Sequence, residues 1–218
     1  MSVSAPSDDD LREPVTSLAA LRELIAAPEP DAPAVRKEIA TLDEHCRRFI
    51  ALAPLLFISS VNDAGRCDVS PRGDAPGFAR VLDATRLVIP ERPGNHRADT
   101  LRNILEHPRV GLLFLIPGLR ETLRVNGVAR LYTDAALLDS MRMEGKRPQL
   151  AIVVEAEEVF MHCGRALVRS RLWRAETWPA RDALPDAARI FADHIAAPDI
   201  TREIAEEALE TSYTTDLY

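Results

Sequence analysis

Arginine placed in turns is the main chemistry this sequence offers. Arg72 sits in SPRGDAPG, Arg92 and Arg97 sit in ERPGNHRAD, and Arg120 and Arg124 bracket a later hairpin. In PGNHRADTLRNILEHP a tight turn leads into polar and basic residues and then into a helix start. A helix start presents unpaired N–H groups and the positive end of its dipole. With Arg97 beside it, this one suits an anionic group such as a phosphate. Ser70 and Arg72 can add a hydroxyl donor and a guanidinium fork from a neighbouring loop. The other reading pairs Arg97 with Asp99 or Glu121 on the surface and leaves it structural.

Other chemistries lack a signature. There is no GxSxG, no Walker loop and no GxGxxG. The histidines are His45, His96, His107, His162 and His194, and none stands at metal-ligand spacing from another ligand. His162 and Cys163 are adjacent, so on a strand they point to opposite faces. No metal site is expected, and no residue stands out as a general acid or base.

Composition narrows the classes. The 218 residues are 46% hydrophobic and 28% charged, enough for a sizeable core in a globular chain. A formal net charge of −7 argues against a general nucleic-acid or anionic-membrane binder. No apolar run approaches a membrane span, and the start, MSVSAPSDDDLREP, is too acidic and polar for a secretory signal. Three scattered cysteines, Cys46, Cys67 and Cys163, fit reduced thiols in a cytoplasmic protein better than a disulfide framework. That setting also disfavours an adhesion role for the Arg72-Gly73-Asp74 tripeptide.

The elements that must position these residues follow from periodicity and punctuation. Residues 1–15 read as a disordered tail. TSLAALRELIAA reads as a helix capped by Thr16 or Ser17. Val35, Ile39, Leu42, Cys46, Phe49 and Ala53 recur on one face, so a helix is expected over 34–53, with Asp31 as its cap and Pro54 ending it. Strands are expected at LLFISSV, CDVS, RLVIP, VGLLFLI, TLRVNGVARLY and QLAIVVEAEEVFMHC, each bounded by turn residues. HRADTLRNILEHP reads as a helix with Leu101, Ile104 and Leu105 inward, DAALLDSMRM as another. GRALVRSRLW is helical or irregular, and two helices close the chain. The reading is mainly β with helical additions, an α+β fold around a small barrel. Its parts are a tail over 1–15, N-terminal helices over 16–54 packed on the barrel, a barrel over 55–175 and a helical extension over 176–218.

Four stretches together, VNDAGRCDVSPRGDAPGF, LVIPERPGNHRADTLRNILEHPRVGLLFLIPG, ETLRVNGVARL and AIVVEAEEVFMHCGRALVRSRLW, resemble the pyridoxamine 5′-phosphate oxidase-like, FMN-binding split-barrel family. The likeness covers about residues 40–175 and is strongest to a subgroup of uncharacterised, FMN-dependent members. It implies a six-stranded split β-barrel that forms a homodimer, with FMN at the interface. Carried across, Ser70, Arg72, Asn95, His96 and Arg97 would grip the phosphate and Thr122 would lie near the flavin ring. Arg165 and Trp173 would approach the flavin from the partner chain, or Trp173 would only pack the interface. On this reading Gly73 lets the chain bend and Asp74 orients an arginine.

The sequence departs from true vitamin B6 oxidases. Their basic, lysine-ended strand motif is replaced by CDVSPRGD, and their arginine-containing C-terminus by the acidic TREIAEEALETSYTTDLY. The implied activity is therefore an FMN-dependent oxidoreductase with an unknown small-molecule substrate and electron donor. The alternatives are a flavin-binding or sensing module without turnover, or a split barrel holding haem, with His162 as ligand, or a deazaflavin.

Overall fold

The structure is a computed structural model and describes residues 13–215 and 217–218. Most of the tail expected over 1–15 lies outside the described residues. The chain divides into two units, one ending at Glu38 and the other spanning Ile39–Tyr218. The first holds α1 (Leu18–Leu24) and the single turn α2 (Pro33–Arg36). Ser17 caps α1, its hydroxyl accepting from the Ala20 N–H at 3.1 Å.

In the second unit α3 (Glu44–Leu52) precedes β1 (Leu55–Val61), β2 (Cys67–Gly73), the two-residue β3 (Arg80–Val81) and β4 (Arg86–Pro90). Then come α4 (Asp99–Glu106), β5 (Arg109–Leu115), β6 (Thr122–Tyr132), α5 (Ala135–Ser140) and β7 (Ala151–His162). Helices α6 (Arg165–Ser170), α7 (Ala187–Ile195) and α8 (Arg202–Thr214) follow. The seven strands form one antiparallel sheet in the order β2-β1-β5-β6-β7-β4-β3. This is a split barrel of the α+β class. The seventh strand, β3, is too short to leave an alternation signal.

Alternation builds the core. Leu56 and Ile58 of β1, Leu112 and Phe114 of β5, Leu123 and Val125 of β6, and Ile152 and Val154 of β7 are buried together. Along β6 the pairing with β7 shifts register between Asn126 and Gly127. A Cβ at Gly127 would stand 2.0 Å from the Glu155 carbonyl oxygen, so this bulge accepts only glycine. Gly73 needs no left-handed backbone. It lies in extended β2, where a Cβ would sit 3.2 Å from the Pro54 carbonyl.

The helix expected over 34–53 is in fact two pieces. Ile39 leaves helical geometry because its backbone exchanges hydrogen bonds of 3.0 and 2.7 Å with Val159 of β7. Helix α3 restarts at Glu44, with Asp43 accepting from the Cys46 N–H at 2.8 Å. Asp31 is not a cap; the residue before α2 is Ala32, which makes no side-chain bond. Leu42, Cys46, Phe49 and Ala53 do join the core, whereas Val35 and Ile39 stay exposed.

Burial pushes the Cys46 thiol up to about 11. The thiolate is the nucleophile, so Cys46 should resist alkylation while the exposed Cys67 and Cys163 react. Titration with a chromogenic thiol reagent should give two fast equivalents and release the third only in denaturant. Three fast equivalents would show that α3 is not docked.

Candidate functional site

Strand β2 alternates exposed and half-buried positions, which puts Asp68, Ser70 and Arg72 on one face. That face looks across the split in the sheet toward the segment leaving β4. Two ion pairs bridge the split with their charges exchanged. Arg72 Nε donates to Glu91 at 3.2 Å, and Arg92 Nε donates to Asp74 at 2.8 Å. The Asp74 side chain is only 1% exposed. Its other oxygen accepts from the Ala75 N–H at 2.7 Å and from the Tyr218 hydroxyl at 2.8 Å. Asp74 thus orients an arginine, Arg92, and is too buried to serve as an adhesion ligand.

Between the two edges lies a cleft of about 730 Å³. Ser70, Arg72, Asn95, His96 and Arg97 all line it, so five of the expected site residues share one wall system. Arg72 Nη1 donates to Ser70 Oγ at 2.6 Å and to the Pro71 carbonyl at 3.0 Å. Among the described residues its Nη2 makes no hydrogen bond. Arg97 is 72% exposed and donates to Asp99 at 2.7 Å, the surface pairing allowed for above.

The turn into α4 is unusual. Asn95 Oδ1 accepts from the Arg97 N–H at 3.1 Å, and His96 and Ala98 take positive φ values of 58° and 55°. Left-handed backbone at an alanine costs energy and tends to persist where the surroundings over-determine it. No side chain caps α4, and Asp99, Thr100 and Leu101 of its first turn line the cleft. Two bonds hold that end in place. Thr100 donates to Asp68 of β2 at 2.6 Å, and Asn103 donates to Ser60 of β1 at 2.9 Å. These polar contacts turn Thr100 and Asn103 to the sheet and leave Leu105 75% exposed, contrary to the inward placement expected of it.

Thr122, Arg165 and Trp173 lie outside the cleft. Thr122 is buried opposite His162 at the start of β6. Arg165 opens α6 on the surface, and Trp173 Nε1 donates to the Leu119 carbonyl at 2.8 Å. Conversely Asp68, Glu91, Thr100 and Gln149 line the cleft without having been expected there. The period-two step from Ser70 to Asp68 was the one available signal.

The lining carries three carboxylates, Asp68, Glu91 and Asp99, beside the three arginines Arg72, Arg92 and Arg97. Burial pushes the Glu91 carboxyl up, and the charge and hydrogen bond of Arg72 pull it partly back. Since the folded value is raised, the proton's contribution to stability is full below the ordinary glutamate value and is lost as pH rises through the raised one. Wild type should therefore gain stability relative to Glu91→Gln as pH falls from about 7 to about 4. Paired urea unfolding curves measure this, and a pH-independent difference would count against a buried Glu91.

A family model described as pyridoxamine 5′-phosphate oxidase matches residues 42–163, more than half of the chain. The chain belongs to the pyridoxamine 5′-phosphate oxidase family. The match takes in the barrel strands, α4 and both edges of the cleft. No curated relative matches the chain. Solved structures resemble the family's barrel portion at low identity. HupZ of Group A Streptococcus has 16% identity and a TM-score of 0.45, over 55% of this chain and 92% of that one. General Stress Protein 26 from Bacillus anthracis has 13% and 0.41, over 54% and 93%. An FMN-binding protein from Syntrophomonas wolfei has 12% and 0.42, over 53% and 82%. Likeness at this level says nothing about chemistry.

Among the described residues no cluster of His, Cys, Asp and Glu could hold a metal ion, and no helix is long and apolar enough to cross a membrane.

Proposed function

We propose that the cleft holds the phosphate of FMN and that the chain is an FMN-dependent oxidoreductase. The observation that carries the reading is the convergence of Ser70, Arg72 and the uncapped start of α4 on one cleft of a family barrel. These groups suit a phosphate ester: a hydroxyl, a guanidinium already braced by Glu91, and backbone N–H groups at a helix end. Asn95, His96 and Arg97 would close over it from the turn. Thr122 would meet the flavin ring, and Arg165 and Trp173 would reach it from the second chain of a homodimer. Bound FMN would supply the electron and hydride chemistry, while the protein would supply position, electrostatics and access.

One observation favours a second reading, a flavin-binding module without turnover. Two carboxylates of the cleft are already engaged, Asp68 by Thr100 and Glu91 by Arg72. Neither is a free carboxylate in the cleft.

The test is reconstitution. Purified protein incubated with FMN and desalted should keep bound flavin absorption bands. A preparation that retains no flavin would remove both readings. Retained flavin that is reduced by NADH or NADPH and turns over repeatedly on an acceptor supports the enzyme. Tight flavin without turnover on any donor supports the module.

A further inference from the structure

The α7–α8 hairpin is held by a small apolar seam and one ion pair, from Arg202 Nε to Asp186 at 2.7 Å. Its two helices meet through Ala188, Ala192 and Ala205, with Leu209 packed against them. Three alanines and a leucine bury too little apolar surface to secure two short helices in water. On the outside Ile190, Phe191, Ile195 and Ile204 are 42–54% exposed. Such a patch is larger than scattered surface residues explain. Beside it α8 carries exposed Glu203, Glu206, Glu207 and Glu210, of which only Glu206 forms an ion pair among the described residues, with Arg202.

The same chain carries the complementary surface. Helix α6 and the turn after it expose Arg165, Arg169, Arg171 and Arg174, interleaved with exposed Val168 and Leu172. Among the described residues none of these four arginines forms an ion pair. One surface is apolar and acidic, the other apolar and basic, and among the described residues no ion pair joins them.

We propose that the α7–α8 hairpin of one copy docks on the α6 segment of a second copy. A two-fold axis makes the exchange reciprocal, so each chain offers its acidic arm and receives its partner's. Apolar contact covers Phe191 and its neighbours, and the opposite charges set the register. The flavin reading is not needed for this contact.

The experiment is sedimentation equilibrium of the full chain across a dilution series. Wild type should be dimeric. Reversing the arm (Glu203→Arg, Glu207→Arg, Glu210→Arg) should weaken the dimer at least about tenfold, as should reversing the receiver (Arg169→Glu, Arg171→Glu, Arg174→Glu). Combining both sets should restore it. A photo-crosslinking residue at position 191 gives a second readout that needs no charge change. In a mixture of heavy- and light-labelled protein it should join residues 165–174 of the other isotope. A monomeric wild type overturns the proposal, whether or not it gathers on added nucleic acid. So does a dimer indifferent to both reversals, or crosslinks confined to one isotope.

Discussion

Replacing Asp74 with alanine is expected to lower stability by about 3–5 kcal/mol, the usual cost of leaving one member of a buried ion pair alone. Arg92 would lose the partner 2.8 Å away while its own side chain stays 13% exposed. Its remaining bond, from Nη2 to the Met141 carbonyl at 3.1 Å, carries no compensating charge. The Ala75 N–H and the Tyr218 hydroxyl would also lose their acceptor. Asp74→Asn keeps an oxygen for some of these donors and should cost less, though it removes the charge. Urea unfolding midpoints measure both. An unchanged midpoint for Asp74→Ala would mean that the two edges of the split are not riveted at this point.

Arg72→Ala should weaken FMN binding by roughly 30- to 150-fold, the equivalent of about 2–3 kcal/mol for a lost charge-assisted fork. Riboflavin lacks the phosphate, so its weaker binding should change little. Arg72 is the better test of the site than Arg97. Its side chain is 16% exposed and braced by Ser70 and Glu91, whereas Arg97 is 72% exposed and tied to Asp99. An exposed pair is screened by water and salt, so Arg97→Ala should cost less affinity than Arg72→Ala. Equal losses of FMN and riboflavin in Arg72→Ala would make Arg72 a structural residue.

Strand β6 runs over TLRVNGVARLY, the residues its alternation predicts, because every second side chain enters the core. The likeness to the family is carried by the same strands and turns. Helices were harder to read. Periodicity placed Ile39 on a helix face, but a backbone bond to Val159, 120 residues along the sequence, competes with helix and wins. Leu105 follows an apolar pattern, but Thr100 and Asn103 hydrogen-bond to strands and rotate α4 by their own demands.

The site divides in the same way. Ser70, Arg72 and the Asn95–Arg97 turn were visible because turn chemistry is local. Asp74 was expected to orient an arginine, but that the arginine is Arg92, and that Glu91 meets Arg72, depends on how far the sheet curls. The same holds for Tyr218, which reaches Asp74 and lies 5.7 Å from the Arg92 guanidinium. Thr122, Arg165 and Trp173 lie outside this cleft, and no local pattern in the sequence says what they meet.

On the proposed reading, the split between β2 and the β4–α4 turn is a phosphate site for FMN. A crystal structure of the protein grown with FMN tests it most directly. The predicted result is a phosphate within hydrogen-bond distance of Ser70 Oγ and the Arg72 guanidinium, with the first N–H groups of α4 directed at it. FMN seated with its phosphate against residues outside this cleft would contradict the account.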